Sequence, residues 1–133
     1  MSELIAFYGS LRPDSYDRMA PDPDGLVAHV GRCRIAGRLY DLGPFPGLVR
    51  TGGADDQVIG DLFRITSDRA LAAFDAWEDY VPDDPEGSLY LRQLIRLIDP
   101  QVDAWVYIWN ASSEPYDLIS GGDWQNRPQS ART

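Results

Sequence analysis

The sequence contains no lysine, so all twelve of its basic residues are arginine. This absence excludes a Walker-type phosphate loop, which needs a lysine on the phosphates. It also excludes a Schiff-base lysine and the lysine anchor of pyridoxal phosphate. A glycine-containing loop in this chain therefore cannot be a Walker-type phosphate loop.

Cysteine and histidine occur once each, as Cys33 and His29. A disulfide within the chain is impossible, and a zinc site built from cysteine and histidine lacks ligands. The segment "HVGRCRIAG" reads as a loop leading into a strand, where a spacing of four does not bring two side chains together. We therefore predict a small buried thiol and a surface histidine rather than a catalytic pair. No metal or other cofactor is expected.

Long apolar runs and basic clusters are also missing. No stretch approaches the ~18 apolar residues of a membrane helix, and the N-terminus lacks the pattern of a signal peptide, so a cytoplasmic protein is expected. A net charge of −9 argues against nucleic acid and anionic membranes as partners. The length of 133 residues fits one domain. We place that domain at 1–125 and expect the polar tail, 126–133, to be frayed.

The hydrophobic pattern predicts strands at 4–8, 33–42, 57–65, 88–99 and 102–110. An additional short edge segment is expected within 43–53, where proline and glycine mark turns. One amphipathic helix is predicted near 67–79, with Ser67 as N-cap and with Leu71 and Phe74 facing the sheet. Short connections between strands favour antiparallel pairing. The expected fold class is α+β: a small, mostly antiparallel barrel or curled sheet of five to six strands with one main helix packed against it.

The first predicted strand ends in Tyr8-Gly9-Ser10-Leu11. Successive backbone N–H groups at such a turn can form a concave anion-binding site. Gly9 permits close approach to the backbone, and Ser10 adds a hydroxyl donor. The alternative is a turn that ends the strand and binds nothing, and spacing alone favours this alternative because Gly-Ser turns are common.

The predicted helix ends at Glu78, where the partial negative charge of a helix C-terminus disfavours a carboxylate. Apolar neighbours raise its pKa further, which suits a general acid and base. Asp75 on the same helix is a competing candidate, and Glu78 can also be read as one surface acid among many. Tyr90 and Tyr107 fall in adjacent predicted strands, where they either reach a shared pocket or pack as aromatics.

Several segments together resemble the gamma-glutamyl cyclotransferase-like family. The similarity spans residues 4 to about 125 in the family's order. Its motifs are "YGSLR", "GRLYDLGPFPGLV", "IGDLFRI", "LAAFDAWEDY", "LYLRQLIRL", "AWVYIW" and "SGGDWQ". Phe74 stands where the family has leucine, and the acidic segment between Glu78 and Tyr90 is longer than expected.

The resemblance implies a metal-free enzyme, a transferase or lyase, that releases 5-oxoproline from a gamma-glutamyl amino acid or amine. Glu78 would be the catalytic acid and base. It implies substrate binding by four loop residues and by two tyrosines further along the chain: Tyr8, Gly9, Ser10, Leu11, Tyr90 and Tyr107. Two alternatives stay open, which are a non-catalytic protein that binds a small carboxylate or gamma-glutamyl conjugate, and a gamma-glutamyl hydrolase. The partner would be a small molecule, and the oligomeric state is left open.

Overall fold

The computed structural model describes residues 3–9, 25–43, 45–51, 56–111, 116–119 and 121–124. These residues form eight strands and one helix. Their order is β1 (Leu4–Phe7), β2 (Val27–Ala36), β3 (Arg38–Asp41), β4 (Pro46–Val49), β5 (Gln57–Ile65), α1 (Ala70–Trp77), β6 (Tyr90–Arg96), β7 (Asp103–Trp109) and β8 (Asp117–Leu118). Across the described ranges, no helix is long and apolar enough to span a membrane.

Five strands form one mixed sheet in the order β2-β5-β1-β7-β6. Neighbours in this sheet are antiparallel, except that β1 and β7 run parallel. β1 lies at the centre, and its side chains alternate between two core clusters: Ile5 and Phe7 pack in one and Ala6 in the other. Because both faces of the sheet are covered, this strand is apolar without interruption.

A second, three-stranded sheet has the order β4-β3-β8 and is antiparallel throughout. The predicted single strand over 33–42 is wrong, because the structure divides it at Gly37. This residue has a φ of 154°, and a Cβ added to it would lie 2.8 Å from the carbonyl oxygen of Val49. Glycine therefore lets the chain leave the main sheet and enter the second one. The edge segment predicted within 43–53 is confirmed as β4.

The helix begins later than the sequence pattern indicates. It starts at Ala70 after the N-cap residue Arg69, and no side chain caps its N-terminus. The predicted N-cap, Ser67, is therefore wrong. The Ser67 hydroxyl instead accepts a hydrogen bond from the Arg69 N–H at 3.2 Å, so the serine closes the turn that precedes the helix.

The helix packs on one face of the main sheet and the second sheet packs on the other. On the helix side, Phe74 is fully buried and Leu71 is partly buried, as predicted. The ring of Phe74 lies 4.9 Å from that of Phe7 in an edge-to-face arrangement. On the opposite side, Leu39 and Leu48 of the second sheet pack against the main sheet.

The α+β fold class is confirmed, with more strands than the five to six expected. The additional strands are β3, which the break at Gly37 separates from β2, and β8, whose two residues are too few for a clear pattern. Cys33 is buried and His29 is exposed, as predicted. His29 nevertheless lies within β2 rather than in a loop. The predicted tail, 126–133, lies outside the described residues.

Candidate functional site

The helix ends in a Schellman motif, in which Glu78 is the C-cap residue. The Tyr80 N–H donates to the carbonyl oxygen of Asp75 at 2.9 Å, and the Asp79 N–H donates to that of Ala76 at 3.3 Å. Asp79 takes the left-handed position with a φ of 55°, which aspartate tolerates better than most residues. Glu78 is therefore held at the negative end of the helix dipole.

The Glu78 carboxyl lies in a low-polarity environment. Although the residue keeps part of its surface in water, desolvation of the carboxyl raises its pKa from 4.5 to about 8. Desolvation has this direction because burial disfavours the charged form of an acid. The pKa direction predicted from the sequence agrees with this structure.

Three buried tyrosines share the electrostatic environment of Glu78. Desolvation raises the pKa of Tyr8, Tyr90 and Tyr107, and the charge of Glu78 contributes to raising all three. The phenols therefore keep their protons throughout the neutral range. They follow or lie within β1, β6 and β7, so the main sheet brings distant parts of the chain towards the helix end.

Each of these phenols donates its single hydrogen to a protein acceptor. Tyr8 donates to the carbonyl oxygen of Tyr107 at 2.5 Å, and Tyr90 donates to that of Pro46 at 2.6 Å. Tyr107 donates to the Asp75 carboxylate at 2.7 Å. A phenol has one donor hydrogen. A ligand could therefore donate a hydrogen bond to these oxygens, but a phenol could donate to a ligand only if its present hydrogen bond were broken. The substrate-binding roles of Tyr90 and Tyr107 stay predictions.

The loop after β1 is described only in part. Tyr8 is buried, and a Cβ added to Gly9 would lie 2.9 Å from Cγ of Pro46. Gly9 is therefore required by the close approach of β4. Ser10 and Leu11 lie outside the described residues, and the predicted anion-binding role of the Tyr8–Leu11 loop stays a prediction.

A largely buried ion pair, formed by Asp75 three residues before Glu78, was missed in the sequence. Arg92 donates to the Asp75 carboxylate from Nε at 2.8 Å and from Nη2 at 3.2 Å. Asp75, the competing acid and base candidate, is therefore anchored by an arginine and a phenol. A signal was present, because Arg92 follows Tyr90 by two residues on a strand and so points to the same face.

The acidic segment after the helix folds back on itself. The buried Ser88 hydroxyl donates to the carbonyl oxygen of Asp84 and accepts from the Val81 N–H, both at 2.8 Å. Asn110, which follows β7, donates to the carbonyl oxygen of Pro85 at 2.9 Å. Within the described ranges, no three histidine, cysteine, aspartate or glutamate side chains form a metal-binding group.

The raised pKa makes Glu78 suited to proton transfer. A carboxyl with a pKa of about 8 exchanges protons readily near neutral pH. The neighbouring phenols stay neutral and hold their hydrogens in place.

Comparison with known proteins identifies relatives along nearly the whole chain. Residues 5–126 match the family described as "Gamma-glutamyl cyclotransferase, AIG2-like". A Vibrio cholerae protein, named provisionally as a gamma-glutamylcyclotransferase, is 31% identical over 127 residues, covering 96% of this chain and 99% of that protein. The "Gamma-glutamylcyclotransferase family protein YtfP" of Escherichia coli K12 is 36% identical over 90 residues, covering 68% of this chain and 69% of that protein.

Solved structures agree with this relationship. The solution structure of protein ytfP from Escherichia coli has a TM-score of 0.66 and 31% identity, covering 92% of this chain and 96% of that one. The crystal structure of an aig2-like protein from Mus musculus has a TM-score of 0.65 at 21% identity, covering 95% and 84%. This second likeness concerns the fold alone. By sequence and by fold, the chain belongs to the gamma-glutamyl cyclotransferase, AIG2-like family.

Proposed function

We propose that the protein is a cyclotransferase that releases 5-oxoproline from a gamma-glutamyl amino acid or a gamma-glutamyl amine. In this proposal Glu78 is the acid and base. The observation that carries the proposal is the desolvated Glu78 carboxyl, whose pKa is raised to about 8 at the end of α1. Membership of the cyclotransferase family supports the choice of substrate class.

The reaction needs no nucleophile from the protein. Glu78 takes a proton from the substrate's α-ammonium group, and the freed amine forms a bond to the γ-carbonyl carbon. The original bond between that carbon and the leaving nitrogen then breaks, and Glu78 delivers a proton to the leaving nitrogen. Over one turnover the α-nitrogen loses two protons and the leaving nitrogen gains two, carried by Glu78 in succession. The products are 5-oxoproline and the released amine or amino acid, whose nitrogen leaves as an ammonium group, and no water is consumed.

The proposed work of the protein is to hold the substrate in a reactive conformation. Ring closure within one molecule becomes fast when the reacting atoms are held about 3 Å apart. We propose that the backbone of the loop formed by Tyr8, Gly9, Ser10 and Leu11 binds the α-carboxylate, with Tyr90 beside it. The protein would then act through 1–125 as one domain, on a small-molecule substrate and without a cofactor.

The experiment that tests the proposal is an assay of purified protein against a panel of gamma-glutamyl amino acids and amines, with 5-oxoproline measured by mass spectrometry. We expect turnover of at least one compound. Glu78→Gln keeps the shape and polarity of the side chain but cannot carry a proton. We therefore expect this variant to stay folded, to bind the substrate, and to lose turnover by ~10²–10⁴-fold.

A matched control is Glu86→Gln, the same substitution at an exposed position of the acidic segment. We expect its turnover to equal that of the wild type. Unchanged turnover in Glu78→Gln would contradict the mechanism. Binding of a gamma-glutamyl compound by the wild type without any 5-oxoproline would instead indicate a non-catalytic pocket protein, and release of glutamate would indicate a hydrolase.

A further inference from the structure

One buried group joins the helix to the main sheet just before Glu78. We call it the Asp75 clamp, and it consists of Asp75 on α1, Arg92 on β6 and Tyr107 on β7. The Asp75 carboxylate accepts two hydrogen bonds from Arg92, at 2.8 and 3.2 Å, and one from the Tyr107 hydroxyl at 2.7 Å. Charge-assisted bonds with a bidentate arginine are geometrically specific, so the clamp defines where the helix lies on the sheet.

Burial makes the clamp rigid. The side chains of Arg92 and Asp75 are only 15% and 10% exposed. The Arg92 guanidinium lies 4.6 Å from the ring centre of Trp105 and 5.7 Å from that of Tyr80. Stacking on two rings limits the movement of a planar cation, and the carboxylate it holds is restricted with it.

The backbone transmits this restraint to Glu78. The residue whose side chain is clamped, Asp75, also accepts the Tyr80 N–H through its carbonyl oxygen, which closes the helix end. Glu78 lies between these two bonded residues, and its own N–H donates to the carbonyl oxygen of Phe74 at 2.9 Å. A displacement of Asp75 would therefore move Glu78 with it.

The clamp also reaches the other side of the candidate site. Tyr107, whose hydroxyl donates to Asp75, accepts the Tyr8 hydroxyl through its carbonyl oxygen at 2.5 Å. Tyr8 opens the loop that is proposed to bind the α-carboxylate. A continuous set of bonds therefore runs from this loop through β7 to the helix that carries Glu78.

We propose that the Asp75 clamp positions the Glu78 carboxyl relative to Tyr8, and that Asp75, Arg92 and Tyr107 are positioning residues that do not touch the substrate. For Tyr107 this replaces the predicted substrate-binding role. The clamp proposal rests on the proposed function for its kinetic test, in which turnover is measured, but not for its titration test. Its physical basis is that an acid or base must stay within hydrogen-bond reach of the reacting nitrogen, and a displacement of about 1 Å can cost ~10²-fold in rate.

A loosened clamp would also admit water to the helix end. Water would reduce the desolvation that raises the pKa of Glu78. Three buried phenols interact electrostatically with Glu78, which are Tyr8 after β1, Tyr90 on β6 and Tyr107 on β7. The other charged or titratable residues of this region are Arg92 on β6 and Asp75, Asp79 and Tyr80 on the segment of Glu78 itself. The phenols near Glu78 stay protonated in the neutral range, so a change in the titration of Glu78 would report its hydration.

The test is Tyr107→Phe, which removes one bond to Asp75 and keeps the ring. The protein has four glutamates, so ¹³C-labelled glutamate gives four carboxyl signals to follow with pH, and Glu78→Gln assigns the signal of residue 78. We expect the Glu78 midpoint to fall by about one pH unit or more, towards the ordinary value for glutamate. We expect kcat to fall about tenfold while KM changes less than about threefold.

The matched control is Ile35→Val in the core cluster on the opposite face of the sheet. This variant should lower the Tm without changing the Glu78 midpoint or kcat. The proposal would be overturned if Tyr107→Phe lowered the Tm but left the midpoint and kcat unchanged, since the clamp would then be purely structural. A higher KM at unchanged kcat would also overturn it, because Tyr107 would then bind the substrate.

The titration separates this proposal from the proposed function. If no gamma-glutamyl compound is turned over, the carboxyl midpoint in Tyr107→Phe still decides whether the clamp controls Glu78. If Tyr107→Phe fails to fold, Arg92→Lys takes its place, because lysine keeps the charge but loses the bidentate geometry. A wild-type Glu78 midpoint in a folded Arg92→Lys variant would overturn the proposal.

Discussion

Asp75 and Glu78 lie three residues apart on one helix, yet their surroundings differ sharply. Asp75 is buried and accepts three hydrogen bonds, two of them from the Arg92 guanidinium. Glu78 is desolvated to the point that its pKa rises to about 8. Burial alone does not determine the charge of a carboxyl group. The partners that replace water decide it.

The hydrogen bonds of three tyrosines explain why Asp75 and Glu78 have different environments at the same helix end. The Tyr107 hydroxyl donates to Asp75, while those of Tyr8 and Tyr90 donate to backbone carbonyl oxygens. The three phenols that share an electrostatic environment with Glu78 therefore donate their hydrogens to Asp75 or to backbone carbonyl oxygens. Asp75 accepts hydrogen bonds from Tyr107 and Arg92, and Glu78 can exchange a proton near neutral pH.

The largest expected effect comes from making the same change at both positions. Asp75→Asn removes the charge that pairs with buried Arg92, and we expect it to lower the free energy of unfolding by about 3–5 kcal/mol. Glu78→Gln removes a carboxyl whose charged form is disfavoured by burial, so we expect no loss of stability at pH 9. Urea unfolding of the two variants beside the wild type measures both values.

The comparison between the two carboxyls would be wrong if both variants lost similar amounts of stability. Arg38→Gln provides a control for the loss of an ion pair, because Arg38 pairs with Asp56 at the surface, with side chains 50% and 28% exposed. Ion pairs between exposed side chains contribute little to stability, so this variant should unfold almost as the wild type does.

The second prediction concerns the pH dependence of stability. Because the folded pKa of Glu78, about 8, exceeds its unfolded value of 4.5, the contribution of protonated Glu78 is full below pH 4.5. It declines as the pH rises and is lost as the pH passes through about 8. Within this window the unfolding free energy of the wild type minus that of Glu78→Gln should fall by about 1.4 kcal/mol per pH unit. A difference that stays flat from pH 5 to pH 8 would refute the raised pKa.

The smallest expected effect concerns the ring of Tyr80, which stacks on Arg92, the ion-pair partner of Asp75. Tyr80→Leu removes the ring that lies 5.7 Å from the Arg92 guanidinium and keeps an apolar side chain. We expect a loss of about 0.5–1 kcal/mol in the free energy of unfolding. A double-mutant cycle with Arg92→Lys isolates the contribution of this pair, and a coupling energy of zero would show that the ring does not hold the arginine.

Local sequence patterns correctly predicted the features that depend on neighbours in the chain. The apolar run at 4–7 is a buried central strand, and the alternation of apolar residues identified β5, β6 and β7. The spacing of Leu71 and Phe74 predicted the helix face that packs on the sheet. Glu78 was predicted to have a raised pKa because both the helix end and its aromatic neighbours are visible in the sequence.

The boundaries of these elements were less predictable. Ser67 has the chemistry of an N-cap, but the helix begins at Ala70 because the serine closes the preceding turn instead. The break at Gly37 depends on β4, whose Val49 carbonyl leaves no room for a side chain. Both outcomes are set by competition between hydrogen bonds and by packing against another element, which periodicity does not describe.

From the sequence alone come the α+β class, the family resemblance, the absence of lysine chemistry and the candidacy of Glu78. Only the tertiary structure decided that Asp75 is bonded to Arg92 and Tyr107, while Glu78 has a pKa that desolvation raises. Arg92 and Tyr107 lie 17 and 32 residues from Asp75 in the chain, and the pairing of β6 with β7 brings them to the helix. Nothing in the local pattern says where a phenol sends its single hydrogen, because that choice depends on which acceptors the folded sheet places within reach.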